Sequence, residues 1–137
     1  MSAAVELIQG LYAAFARGDV GAVLGAMSPD IVWNEAENFP YADGNPYVGP
    51  EAIATRVFAR LGGEWDGFSV NPEQFLDAGE TVVVTGRYTG AFKQTGRPIR
   101  AQFVHVWTVA GGKAARFQQY CDTLQIAQAM KAATVPA

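Results

Sequence analysis

Three side chains of this sequence carry the types that proton-transfer chemistry uses. His105, the only histidine, lies in "FVHVWTVAGGKAARFQQYCDT" (103–123) with the only cysteine, Cys121. Glu35 closes the apolar run "IVWNE", and Gln119 follows Phe117 by one alternation. A glutamate facing Trp33 and Trp107 loses hydration, which raises its pKa above the ~4.3 of a free side chain. Such a carboxylate is a competent base toward a carbon acid beside a carbonyl. The resulting enolate oxygen needs a donor, worth roughly 3–4 kcal/mol. His105 N–H and the Gln119 amide are the candidates. Glu35 and His105 are therefore the catalytic candidates, and Tyr12, Phe15, Trp33, Phe103, Trp107 and Gln119 the substrate-binding ones. The chemistry is proton abstraction and return on an apolar enolisable ketone, as isomerisation or aldol cyclisation. It calls for no cofactor. One histidine among scattered acids is a poor metal signal, and the Gly-Gly pairs lack the strand–loop–helix context of a phosphate loop.

The competing reading is a core histidine held by a backbone carbonyl, with Glu35 at a solvated strand end. On that reading the chain is a non-catalytic ligand-binding or interaction domain. The hairpin loop bears on the choice. Ala110-Gly111-Gly112 fits a three-residue connection, which opposes His105 to Phe117 and Phe103 to Gln119. Alternation then places Ala101, Phe103, His105, Trp107, Phe117, Gln119 and Cys121 on one face. A two-residue loop would instead bring Asp122 beside His105. With the three-residue loop Asp122 faces outward and serves as an N-cap, and Cys121 is a small buried residue.

The elements that position these groups follow from periodicity. Val5, Ile8, Leu11, Tyr12 and Phe15 recur at helical spacing after Ser2, an N-cap. Gly18 stops that helix and Asp19 caps a second one carrying Val20, Val23, Leu24 and Met27. "SPD" (28–30) predicts a turn into the strand "IVWNE". Residues 36–48, with Phe39, Tyr41 and Tyr47, predict a long loop of the kind that forms lids. Pro50 opens a helix with Ile53, Val57 and Leu61 as its buried stripe. From Trp65 onward four strands predict an antiparallel meander, closed by a helix over 124–131. The sum is a single α+β domain over residues 1–137, with helices on one face of a curved sheet.

Composition narrows the partners. Half of the 137 residues are hydrophobic, 17% are charged and the net charge is -3, which predicts a globular chain without the basic clusters of a nucleic-acid binder. A single cysteine forms no internal disulfide. No signal-peptide pattern and no run of ~20 apolar residues appears, so a cytoplasmic protein that engages no membrane is expected. Val104, Val106 and Tyr120 alternate with polar residues on the outer sheet face, which predicts a homodimer through that face.

Helix, "GD", helix, "PDIVWNE", a "GPEAI" helix and "HVWTVAGGKAARFQQYCD" together resemble the nuclear transport factor 2-like superfamily. Within it, the chain is similar to SnoaL-like polyketide cyclases and ketosteroid-isomerase-related proteins. The resemblance covers nearly the whole chain. It implies a cone of curved sheet closed by helices, an internal ligand chamber and a homodimer. It also implies residue roles. Glu35 falls where ketosteroid isomerases carry their general base, and His105 where they carry an oxyanion-hole acid. The tyrosine of that hole aligns with Leu11, one position before Tyr12. In the polyketide cyclases a histidine at the place of His105 faces an acid/base aspartate, and Gln119 stands in that aspartate's place. The epoxide hydrolase-like enzymes of this fold add an arginine–aspartate pair, where this chain has Arg87 and Thr89. Glu35 is the surviving acid.

Overall fold

The computed structural model describes residues 2–131; Met1 and 132–137, part of the expected domain span, lie outside the described residues. Helix α1 (Ala3–Ala16) starts where the Ser2 hydroxyl accepts from Val5 N–H, and it buries Val5, Ile8, Leu11 and Tyr12. Gly18 takes a left-handed φ of 75°, and the Asp19 carboxylate caps α2 (Val20–Gly25). These start and stop signals behave as the local chemistry dictates.

Strand β1 (Met27–Asn34) begins earlier than the sequence suggests. Met27 and the "SPD" stretch lie within the strand, not in a helix and a turn. Pro29 is tolerated because β1 pairs irregularly with its neighbour between Met27 and Val32. A 3₁₀ turn (Pro40–Gly44) and the two-residue strand β2 (Tyr47–Val48) follow. Helices α3 (Pro50–Ile53) and α4 (Ala59–Glu64) are joined through a π-helical turn at Ala54–Phe58. The expected stripe is retained, with Ile53 and Val57 buried and Leu61 half-buried.

Strands β3 (Trp65–Ala78), β4 (Thr81–Phe92), β5 (Pro98–Ala110) and β6 (Lys113–Cys121) form the predicted meander, and α5 (Thr123–Met130) ends the described chain. The sheet has six strands in the order β2-β1-β6-β5-β4-β3, because β1 adds parallel to β6. This curved, open sheet with helices packed on it is the α+β architecture expected. Close approach shapes one point of it. A Cβ at Gly86 would lie 2.2 Å from the Asn71 carbonyl and 2.7 Å from the Phe103 ring, beside the β3 bulge at Glu73. Only glycine fits there.

The β5–β6 hairpin corrects the expected register. Its connection is the two-residue Gly111-Gly112, with φ of 58° and 74°, closed by the pair Ala110–Lys113. A bulge at Ala115 then moves the ladder by one residue, because Val109 pairs with Ala114 but Thr108 with Arg116. His105 therefore opposes Gln119, not Phe117, and Phe103 opposes Cys121, not Gln119. The bulge restores the parity that a two-residue turn alone would reverse, so the inward face keeps the expected residues. Asp122 accepts from Gln125 N–H as the N-cap of α5.

Candidate functional site

The inward faces of α1, β1, β4, β5 and β6 converge on one interior cavity of about 50 Å³. Tyr12, Phe15, Trp33, Glu35, His105, Trp107 and Gln119 all line it. Phe103 does not: it is buried behind the wall, stacked between His105 at 4.1 Å and Tyr88 at 4.6 Å between ring centroids. It spaces the two rings, and Gly86 leaves room for it.

A hydrogen-bonded chain crosses the wall. Trp107 Nε1 donates to the Tyr12 hydroxyl at 2.9 Å, and that hydroxyl lies 2.5 Å from His105 Nδ1. On the other edge of the imidazole, Nε2 lies 2.5 Å from the Tyr88 hydroxyl. Tyr88 in turn accepts from Gln119 Nε2 at 2.8 Å. Gln119 is held this way round because its Oε1 accepts from Ala36 N–H at 3.0 Å. The helix residue that meets His105 is thus Tyr12 and not Leu11, and neither imidazole nitrogen is left to touch a ligand. Burial lowers the His105 pKa to about 3, so the ring is neutral. Burial likewise raises both tyrosines, with the Glu35 charge adding to the rise at Tyr88.

The hydrogens of this chain cannot all find acceptors within it. A neutral imidazole has one N–H and one lone pair. Whichever nitrogen holds the hydrogen donates to its tyrosine, and the other accepts from the opposite tyrosine. The first tyrosine then accepts twice, and its own hydroxyl hydrogen has no acceptor among the described residues. A buried donor without a partner costs about 1–3 kcal/mol. The cavity therefore presents one such hydroxyl hydrogen to whatever enters.

Glu35 lies just past the end of β1 and is 4% exposed. Asn45 clamps its backbone, accepting from Glu35 N–H at 2.9 Å and donating to its carbonyl at 2.8 Å. Among the described residues none forms a hydrogen bond to the carboxyl. The Trp33 indole N–H lies near enough to pull the Glu35 pKa down, yet it has no partner at hydrogen-bond geometry. Desolvation outweighs both that pull and the Arg60 charge, and raises the Glu35 pKa to about 8. A buried carboxyl faces the same cavity as an unpartnered hydroxyl hydrogen. That pair can move a proton on carbon while holding charge on oxygen.

Tyr88 is the member of this site that the sequence reading passed over. Val82, Val84 and Tyr88 share the buried parity of β4, opposite to that of Arg87 and Thr89. Both of those point outward, where Arg87 donates to the Arg100 carbonyl and Thr89 Oγ1 accepts from Asn71. Phe39, Phe58 and Leu61 also line the cavity, from the loop and the π-turn helix. Among the described residues no three of His, Cys, Asp and Glu form a set that could hold a metal ion. No helix among them is long and apolar enough to cross a membrane.

Comparison with known proteins defines the class. A family model described as a SnoaL-like domain matches residues 8–117. A protein of NTF2-like fold from Burkholderia thailandensis is 39% identical, over 96% of this chain and 100% of its own, with a TM-score of 0.91. TerC, co-crystallised with polyporic acid, is 29% identical over 96% of this chain and 100% of its own, with a TM-score of 0.84. A hypothetical protein with a ketosteroid isomerase-like fold from Catenulispora acidiphila, in complex with trimethylamine, is 20% identical. It covers 96% of this chain and 98% of its own with a TM-score of 0.77, a likeness of fold alone. No curated protein matches. The chain belongs to the SnoaL-like domain family, within the NTF2-like fold.

Proposed function

We propose that this protein binds an apolar, enolisable ketone and takes a proton from its α-carbon, returning it to another carbon as an isomerase or to the newly formed alkoxide oxygen as an aldol cyclase. The observation that carries this reading is the pairing just described. Glu35 is a buried carboxyl with no hydrogen bond among the described residues, and it faces the cavity into which Tyr12 or Tyr88 presents an unpartnered hydroxyl. Glu35 takes the proton α to the carbonyl, the hydroxyl donates to the enolate oxygen, and protonated Glu35 returns the proton elsewhere. With a pKa of about 8, both forms of the carboxyl are populated near neutrality, which suits a group that must accept and give back. His105 is a positioning residue: it sets which tyrosine donates.

The ligand class has support from one relative. TerC, 29% identical, is co-crystallised with polyporic acid, an aromatic hydroxyquinone rich in carbonyl and enol oxygens. A cavity of about 50 Å³ has room for a few waters but is tight for an aryl ketone, so such a ligand enters by displacing the half-buried Phe15, Phe58 and Leu61. A screen of enolisable aryl ketones, following deuterium uptake from solvent by NMR, tests the reading. Uptake above the buffer rate supports it. If ketones bind and none exchanges, the chain is a ligand-binding domain without catalysis.

The outer face of the sheet is the proposed homodimer surface. Tyr120 is 56% exposed, Leu76 is 43% exposed, and Val104 and Val106 are half-buried beside them. Light scattering at micromolar concentration should give twice the chain mass, and Val106→Glu should give the monomer.

A further inference from the structure

We propose that Tyr12, His105 and Tyr88 form a neutral two-way proton relay, so the ligand of this site carries two oxygens: one carbonyl acceptor and one enol or phenol hydroxyl. The proposal rests on the reading above that an enolisable ketone occupies the cavity. It adds what the hydrogen count requires of a second group on that ligand.

The two tyrosines are not equivalent at any moment. When the imidazole hydrogen is on Nε2, Tyr88 accepts from His105 and from Gln119. Its own hydroxyl hydrogen then points to an acceptor in the cavity. Tyr12 in that state donates to Nδ1 and accepts from Trp107, so its oxygen has capacity only for a second donor. With the hydrogen on Nδ1 the roles reverse. One end of the site therefore offers a donor while the other end asks for one. A ligand with a ketone at one end and a hydroxyl at the other satisfies both, whereas a simple ketone satisfies one.

The same chain moves protons without making an ion. The ligand hydroxyl gives its proton to the Tyr12 oxygen, and the Tyr12 proton passes to Nδ1. The Nε2 proton passes to the Tyr88 oxygen, and the Tyr88 proton passes to the ligand carbonyl. One ligand oxygen loses a proton and the other gains one. Every protein group ends neutral, with the imidazole in its other tautomer. Burial blocks the charged alternatives, since it disfavours both imidazolium and tyrosinate here. Gln119 belongs to the device: Ala36 fixes its amide so that it can only donate to Tyr88, which keeps the two ends of the relay matched with Trp107 on the other side.

Because His105 is the only histidine, ¹⁵N NMR of uniformly labelled protein reads its tautomer without ambiguity. Tyr12→Phe leaves Tyr88 to donate to Nε2 and should place the hydrogen on Nδ1. Tyr88→Phe should place it on Nε2. A second arm uses ligands at pH 6.5. 6-Hydroxy-1-tetralone, with a ketone and a phenol at opposite ends, should bind wild type about tenfold more tightly than 6-methoxy-1-tetralone. That preference should shrink in each Tyr→Phe variant, which removes one of the two oxygens that the ligand bridges. The same tautomer in both variants, or equal binding of the two tetralones by wild type, overturns the relay. The two proposals can fail separately. If 1-tetralone exchanges its α-protons through Glu35 while the tautomers do not diverge, the relay is wrong and the ketone reading stands. If the tautomers diverge and the phenol is preferred without any α-exchange, the relay stands and Glu35 is not the base.

Discussion

His105 and Gln119 oppose each other across β5 and β6, yet their side chains meet only through the Tyr88 hydroxyl, 2.5 Å from His105 Nε2 and 2.8 Å from Gln119 Nε2. The amide does not reach the imidazole, and both imidazole nitrogens are taken by tyrosine hydroxyls. This leaves the tyrosine oxygens, not the imidazole nitrogens, to meet a ligand in the cavity.

The two buried titratable groups act on stability in opposite directions. Glu35 rises from an ordinary 4.5 to about 8, so the folded protein binds the extra proton between those values. Its contribution is complete below pH 4.5 and is lost as pH climbs to 8. His105 falls from 6.5 to about 3, so its contribution is present above pH 6.5 and lost as pH drops toward 3. The expected urea-unfolding profile is flat between about pH 4.5 and 6.5, where the slopes oppose, and declines on both sides. Glu35→Gln should remove the alkaline decline and exceed wild type at pH 9 by on the order of 2–4 kcal/mol. A variant no more stable than wild type there would show that the carboxyl is not desolvated.

Gly86→Ala should be disruptive for a single methyl group. The new Cβ would meet the Asn71 carbonyl at 2.2 Å and Pro72 Cα at 2.9 Å, both backbone, as well as the Phe103 ring at 2.7 Å. A loss of about 2–4 kcal/mol is expected. Moving Phe103 also moves the spacing between Tyr88 and His105, so the His105 ¹⁵N shifts should change with it. A change below about 0.5 kcal/mol in chemical denaturation would contradict the close packing.

Arg60 fastens the loop over the cavity. It pairs with both Asp43 oxygens at 2.8 and 2.9 Å, donates to the Tyr47 hydroxyl at 3.0 Å and lies 4.3 Å over the Tyr41 ring. Hydrogen bonding to Arg60 lowers the Asp43 pKa to about 2. Asp43 is largely exposed, so Asp43→Asn should cost less than about 1 kcal/mol in stability. Its expected effect is kinetic: stopped-flow tryptophan fluorescence should show faster ketone binding and faster release, with Kd little altered. Unchanged rates would mean that entry does not pass this loop.

The parity of the site was legible in the sequence, and its register was not. Alternation alone put His105, Trp107, Phe117 and Gln119 on one face, and a three-residue turn and a two-residue turn plus one bulge give the same parity. The bulge at Ala115 falls in "AAR", where no side chain marks it, so the pairs shifted by two. Trp33 and Glu35 were linked because the strand's side chains alternate up to Asn34 and the chain continues inward past it. Phe58 was hidden by the π turn at Ala54–Phe58, which adds a residue to the helical repeat and brings Phe58 to the cavity beside Val57. The pairing of β1 with β6 is parallel and distant in sequence, and no turn signal encodes it. Tyr88 required only that β4 be read by alternation from Val82.

Glu35→Gln measured on a bound ketone tests the central claim most directly. 1-Tetralone, or any aryl ketone that the protein binds, is followed by proton NMR in deuterated buffer, with Kd taken from tryptophan fluorescence. Wild type should exchange the α-protons above the buffer rate, with a rate that rises toward pH 8 as Glu35 ionises. Glu35→Gln should lose that exchange by about 100-fold or more while Kd stays within about threefold. Exchange by Glu35→Gln as fast as wild type, or a bound ketone that wild type exchanges no faster than buffer, would contradict the account.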